Sequence, residues 1–259
     1  MKDQVAKVVK IGGKLIEDEN KFQEFLKDFS ALEGPKILVH GGGNFATQIA
    51  HKLGYETKMV DGRRITDADS LKVIIMTYGG LINKNIVAKL QALESNAIGL
   101  CGADGKSVIS KKRKVKEIDF GFVGDIEKIN SDFISSLLKQ EIIPVFSAIS
   151  CTQEGELLNT NGDSVASAIA RAMSELYKTE LYYCFEKSGV LANAADDGSV
   201  IESIDKKKYQ ELLDNKIISD GMLPKLQNCF EALENGVSAV YLGNSALLQK
   251  KSTHTKIVQ

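Results

Sequence analysis

Lys10, Asp163 and Lys225, together with two clusters of glycine, are the residues whose types and settings could do chemistry in this chain. Lys10 ends an apolar run and is followed by Ile11-Gly12-Gly13-Lys14. Residues without side chains let an anion reach the backbone N–H groups of such a turn. His40-Gly41-Gly42-Gly43-Asn44 repeats the arrangement after a second apolar run. Three successive glycines cost chain entropy, and the helix that follows offers free N–H donors and a positive dipole end. In Asn159-Thr160-Asn161-Gly162-Asp163-Ser164, before a helix of small residues, Asp163 or Ser164 would serve as an ordinary N-cap. That use accounts for one of these polar residues and leaves the convergence of two asparagines with an aspartate unexplained. Pro224, tolerable only in the first turn of a helix, puts Lys225 at a helix N-terminus. A structural cation is unfavourable there, whereas an anion-binding one makes sense. Arg64, on the turn Asp61-Gly62-Arg63-Arg64-Ile65-Thr66, carries a planar fork suited to a carboxylate, although a lone arginine on a turn is more often simply solvated.

Lysines, glycines, asparagines and one aspartate suit phosphoryl transfer, where positioning and charge neutralisation dominate. Hydrolytic and zinc chemistry lack a basis: no G-x-S-x-G or H-E-x-x-H occurs, and His40 and His51 have no nucleophile or acidic partner pattern. No residues are expected to form a protein-borne metal site. A dinucleotide-dependent dehydrogenase stays open, because Gly41, Gly43 and Ala46 fit G-x-G-x-x-A and Asp61 lies near the ribose-binding distance. Gly102-Ala103-Asp104-Gly105-Lys106-Ser107 ends like a Walker A loop, but Leu100 stands where its first glycine belongs.

These residues need elements to hold them. Short β-rich runs at 6–11, 36–40, 97–100, 142–147, 179–185 and 237–242 alternate with helical segments at 19–32, 44–54, 66–93, 130–140, 163–177, 206–215 and 221–235. The alternation predicts an α/β fold, a three-layer αβα sandwich around a mostly parallel sheet. Thr66 and Asp67 signal the start of the longest helix and Gly236 the stop of the last. Segment 108–125, with basic residues from Lys111 to Lys116, reads as a solvated hairpin. The 259 residues carry 33 Lys+Arg against 34 Asp+Glu, so no basic excess points to nucleic acid or a membrane surface. No apolar run is long enough for a span, and four scattered cysteines suit reduced thiols, so a cytoplasmic protein is expected.

With these residues in view, the chain resembles the amino acid kinase family over nearly its whole length, and within it the branch acting on N-acetyl-L-glutamate. The likeness rests on V-V-K-I-G-G at 8–13, V-H-G-G-G at 39–43, D-G-R-R-I-T at 61–66, Asn83-Lys84, G-E-L-L-N-T-N-G-D at 155–163 and I-S-D-G-M-L-P-K from Ile218 to Lys225. The resemblance implies that ATP, with Mg²⁺, phosphorylates the side-chain carboxylate of N-acetyl-L-glutamate on the way to arginine. It makes Lys10 and Lys225 the lysines that neutralise the phosphoryl group in flight, and Asp163 the aspartate that orients them. Gly42, Gly43, Arg64 and Asn159 match substrate-binding positions, with Arg64 on the α-carboxylate. Gly12 and Gly13 would lie against the ATP phosphates, and Glu186, Lys187, Ser188, Gly189, Val190, Leu191, Ile217, Ile218 and Ser219 match the nucleotide edge. Where related kinases usually read S/T-D-V, this chain reads Phe185-Glu186-Lys187-Ser188-Gly189. By the same analogy, residues 1–174 hold the acyl amino acid and 175–259 hold ATP. The missing N-terminal helical extension implies a homodimer without arginine feedback, joined along helix 66–93. A carboxylate with a pKa of roughly 4.3 is already ionised at neutral pH, so no general base is needed. Sibling substrates also remain open: N-succinyl-L-glutamate, aminoadipate, glutamate, carbamate or UMP. A nucleotide sensor without turnover is a further alternative.

Overall fold

Apolar runs that alternate with helices have to stack as strands with helices on both faces, and the computed structural model has that architecture. It describes residues 4–60, 62–193, 195–215, 217–218, 222–249 and 252–258. In chain order the strands are β1 (Val5–Ile11), β2 (Lys36–His40), β3 (Met59–Val60), β4 (Arg63–Arg64), β5 (Ala97–Leu100), β6 (Val108–Lys112), β7 (Gly124–Ile129), β8 (Ile143–Ser147), β9 (Ile149–Cys151), β10 (Leu157–Asn159), β11 (Lys178–Cys184), β12 (Ser203–Ile204), β13 (Ala239–Gly243) and β14 (Thr255–Ile257). The α-helices are α1 (Gly13–Glu17), α2 (Glu19–Ser30), α3 (Gly43–Lys52), α4 (Ala68–Ile74), α5 (Asn83–Gln91), α6 (Ser131–Lys139), α7 (Gly162–Ser174), α8 (Lys206–Asp214) and α9 (Leu223–Glu234).

Among the described residues an eight-stranded sheet runs in the order β12-β14-β13-β11-β1-β2-β8-β5. Its neighbours are parallel except β13 and β14. A smaller sheet, β10-β9-β6-β7, stands beside it. Alternation along β1 sends Ala6 and Val8 to the core under α6, α7 and α9, and Val9 and Ile11 to the core under α2 and α5. Lys10 shares the parity of Val8, so it belongs to the α7 face. Register sets Ile11 beside both His40 and Cys184. The loops after β1, β2 and β11 therefore leave the carboxyl edge of the sheet side by side, where ligands of open α/β folds bind.

Two expectations need correction. Residues 13–17 form their own short helix before α2, after Gly12. Segment 66–93 is one helical rod, but Ile75–Ile82 between α4 and α5 is π-helical, a local change no residue pattern signals. The hairpin expected over 108–125 is present, with β6 paired antiparallel to β7. The boundary signals hold: Asp67 accepts from the Ser70 N–H as N-cap, and Gly236 takes φ +93° just beyond α9.

Candidate functional site

Asp163 sits in the first turn of α7, and its carboxylate is free because another residue caps the helix. Asn161 Oδ1 accepts from the N–H groups of Asp163 and Ser164, at 2.9 and 3.0 Å. Asp163 is thus not the N-cap, and the second asparagine of the motif has a structural use. Lys10 Nζ lies 2.8 Å from Asp163 Oδ1, and Lys225 Nζ lies 2.5 Å from Asp163 Oδ2. The three side chains are only 14–16% exposed. Burial opposes ionisation of Asp163, but Lys10 and Lys225 outweigh it and hold the carboxyl well below the usual range. Burial lowers Lys10, which Asp163 opposes and Lys225 reinforces. Two ammonium groups against one carboxylate leave a buried surplus of one positive charge, a setting that calls for an anion. Lys225 Nζ also lies 5.0 Å from the ring centre of Tyr183 and 5.9 Å from that of Phe185, which brace it. Pro224 falls in the first turn of α9, so Lys225 has the N-terminal position that the sequence suggests.

On one side of this cluster lies the second glycine loop. A Cβ on Gly162 would meet Lys10 Cε at 3.5 Å and Gly41 N at 3.7 Å, so the loop, Lys10 and the start of α7 touch. Gly42 has φ +156°, and a Cβ there would stand 2.3 Å from Ile82 Cδ1, so only glycine fits. Arg64 donates to Gly43 O at 2.9 Å, Thr47 Oγ1 at 2.7 Å and Thr57 Oγ1 at 3.0 Å, which aims its fork at the loop. Asn159 Nδ2 donates to Thr66 Oγ1 at 3.0 Å, two residues beyond Arg64. The returning chain is stitched to both: Thr66 N–H donates to Phe120 O, Phe122 N–H to Thr66 O and Asn159 N–H to Phe122 O. Arg64 is thus tied to the glycine loop whose Gly41 lies by Gly162 and Lys10, and Asn159 is tied to Thr66 near Arg64.

Sequence reasoning left His40 without a task. It is fully buried, its Nδ1–H donates to Gly41 O at 2.9 Å, and its Nε2 accepts from Asn83 Nδ2 at 3.1 Å. Burial pushes its pKa down to about 4, so the ring is neutral. Asn83 also donates to Val145 O, and Lys84 Nζ to Gly99 O, so this pair fixes the long helix to the sheet. Its sequence signals were its buried strand position and its place, with Asn83, among the motifs shared with the family.

On the other side, Gly12 and Gly13 face the loop after β11, with Gly12 N–H donating to Cys184 O at 2.9 Å. Lys14 Nζ meets Glu186 Oε1 at 2.9 Å and Lys187 Nζ meets Asp197 Oδ1 at 2.6 Å, both on open surface. Burial works against the Glu186 charge, yet the Lys14 contact holds its carboxyl below the usual range. Ser188 Oγ accepts from Asn244, and Val190 N–H donates to Thr255 Oγ1 at 2.8 Å. A Cβ on Gly189 would stand 2.6 Å from Thr255 Oγ1. Leu191 bridges to Val200. Ile218 is buried and Ile217 exposed. Ser219 and the dehydrogenase candidate Asp61 lie outside the described residues. Gly105 sits in a 3₁₀ turn against the Phe133 ring, remote from a strand-to-helix phosphate loop. Among the described residues no cluster of three or more His, Cys, Asp or Glu could hold a metal ion. Asp163, bound by two lysines, does not fit that task either.

Residues 6–244 match the sequence model of the amino acid kinase family. The chain is 49% identical over 252 residues to the acetylglutamate kinase of Phocaeicola vulgatus, covering 97% of this chain and 98% of that protein. It is 50% identical over 242 residues to that of Bacteroides fragilis, covering 93% and 92%. Among solved structures, the smu.665 protein of Streptococcus mutans superposes with a TM-score of 0.78 at 26% identity, covering 98% of each chain. At 12% identity, carbamate kinase from Giardia lamblia, bound to AMP-PNP, shares the fold with a TM-score of 0.72 and full coverage of both chains.

Proposed function

The chain belongs to the amino acid kinase family, and from that premise we propose that it transfers the γ-phosphoryl group of ATP to the side-chain carboxylate of N-acetyl-L-glutamate. The product is N-acetyl-L-glutamyl 5-phosphate, an acyl phosphate for arginine biosynthesis. The observation that carries the reading is the buried Lys10–Asp163–Lys225 cluster between two glycine loops, with Arg64 on one side only.

The physical difficulty is bringing a carboxylate up to a polyanion. Lys10 and Lys225 lie 2.8 and 2.5 Å from one aspartate, so they are held at a fixed spacing and their surplus charge offsets that repulsion as the phosphoryl group moves. Asp163 orients both ammonium groups and does not act as a base. Gly42 and Gly43 bring backbone N–H groups to the acceptor carboxylate, while Arg64 takes the α-carboxylate and Asn159 the acylated end. Gly12 and Gly13 lie against the phosphates. Residues 186–191 with 217–219 border the nucleotide, so 1–174 serves the acyl amino acid and 175–259 serves ATP. In this reading Mg²⁺ would arrive as part of Mg-ATP, where it would offset the charge of the phosphates alongside Lys10 and Lys225.

A homodimer through the long helix is supported by Met76 and Leu81, which leave large apolar side chains 53% and 55% exposed there. The cysteines are free thiols, in keeping with a cytoplasmic setting, and among the described residues no helix is long and apolar enough to cross a membrane.

The test is Mg-ATP with hydroxylamine, which traps acyl phosphates as hydroxamates, against N-acetyl-L-glutamate, N-succinyl-L-glutamate, glutamate, aspartate and aminoadipate. Hydroxamate from N-acetyl-L-glutamate is the expected result. Hydroxamate from N-succinyl-L-glutamate alone moves the acyl group and keeps the reaction; none from any acceptor rejects the reading.

A further inference from the structure

The π-helical stretch Ile75–Ile82 interrupts a rod that is regular on both sides, α4 before it and α5 after it. Wider turns of this kind change which side chains share a face, and they concentrate at functional sites. Here Met76 and Leu81 point outward, whereas Tyr78 is 6% and Ile82 4% exposed. Both buried residues press on the second glycine loop. A Cβ on Gly42 would stand 3.1 Å from Tyr78 Cε1, and one on Gly43 would stand 3.8 Å from the Tyr78 hydroxyl oxygen. The hydroxyl is therefore at Gly43, whose carbonyl Arg64 holds at 2.9 Å.

Packing alone would be satisfied by phenylalanine. The Tyr78 hydroxyl makes no hydrogen bond to any described residue, and its oxygen is not among the fully buried polar atoms that lack a partner, so it stays reachable by a ligand. Burial pushes its pKa up, which the neighbouring Arg64 charge only partly opposes, so it is a neutral donor under working conditions.

We propose that the Tyr78 hydroxyl binds substrate directly, donating a hydrogen bond to the α-carboxylate that Arg64 anchors. The inference rests on the reading of the chain as an N-acylglutamate kinase and adds a residue to its acceptor pocket. Arg64 supplies charge and two donors in a plane. Tyr78 supplies a third donor from a different element, which fixes the direction of the carboxylate relative to the glycine loop.

The experiment compares wild type with Tyr78→Phe, varying the N-acylglutamate that the wild type turns over and ATP separately. A second acceptor is the same molecule without its α-carboxylate, the 4-acylaminobutyrate. Loss of a hydrogen bond to a charged group should raise KM for the N-acylglutamate by about 10-fold. KM for ATP and the melting temperature should stay at wild-type values, and the variant should match wild type on the 4-acylaminobutyrate. An unchanged KM for the N-acylglutamate overturns the assignment of Tyr78. So does an equal penalty on both acceptors, since the hydroxyl would then act on something other than the α-carboxylate. Tyr78→Met, apolar and adaptable, takes the place of Tyr78→Phe if that variant does not fold. Wild type that phosphorylates no N-acylglutamate overturns the function and Tyr78's role together, whereas active wild type with an indifferent variant overturns only the latter.

Discussion

The two sides of the lysine cluster are built differently. On the acceptor side, Arg64, Asn159, Thr66 and His40 are hydrogen-bonded into place, and Gly42 is wedged against Ile82 and Tyr78. On the nucleotide side, the first glycine turn and residues 186–191 meet through Lys14–Glu186 and Lys187–Asp197. The lysines of those two pairs are 70% and 43% exposed. Exposed pairs of this kind contribute about 0–1 kcal/mol. Under the proposed assignment, rigidity lies where an uncharged acyl group and a carboxylate must be told apart from similar acids. It leaves surface side chains where a highly charged ligand brings its own binding energy.

Four substitutions sharpen or break this contrast. The largest effect should come from the cluster between the two sides. Lys225→Ala should lower kcat by about 10²–10³, because its charge acts mainly in the transition state, with a melting temperature near that of wild type. A kcat within twofold of wild type would remove Lys225 from the chemistry.

On the acceptor side, His40 gives an acid limb to stability. Its pKa falls from 6.5 to about 4 on folding, so the unfolded chain binds the proton first and stability drops as pH falls through that window. The difference corresponds to about 3 kcal/mol. Denaturant titrations at a series of pH values should show His40→Gln losing that much less than wild type. Asp163 acts elsewhere: its depressed pKa contributes stability that persists above the ordinary carboxylate range and is lost only in stronger acid.

Arg64→Lys keeps the charge and loses the fork, so KM for the acyl amino acid should rise about 10-fold while KM for ATP holds. Steady-state kinetics with each substrate varied separately decide it, and an unchanged KM would send the α-carboxylate to another anchor. The smallest effect belongs to the nucleotide side. Lys187→Ala should change KM for ATP by less than about threefold and leave melting unaffected. A tenfold rise would mean that the nucleotide side is as preorganised as the acceptor side, and the contrast would fall.

Much of the sheet was legible from local pattern. The run 36–40 and the run 97–100 are strands with those bounds, and the glycine clusters do sit at strand ends. Lys10, Asp163 and Lys225 were also legible as residue types in unusual settings, although no local rule joins positions so far apart. Other features were hidden. Asn161 took the capping role that Asp163 or Ser164 could have had, neighbours of similar propensity, and left the Asp163 carboxylate to the two lysines. The glycine pattern Gly41, Gly43 and Ala46 left a dehydrogenase open. In the fold that loop is bonded to Arg64 and lies beside Lys10, so its surroundings favour an acid and a phosphoryl group.

Local pattern in the sequence was enough for six of the eight strands of the main sheet, for the longer helices and for where glycine opens the backbone, because hydrophobic period and turn chemistry act within a few residues. Only the tertiary structure decided that residues 10, 163 and 225 meet in one ion cluster, and that a π-helical stretch turns Tyr78 onto Gly42. Those outcomes depend on strand register and on the phase of helices packed against the sheet, which contacts distant in sequence set.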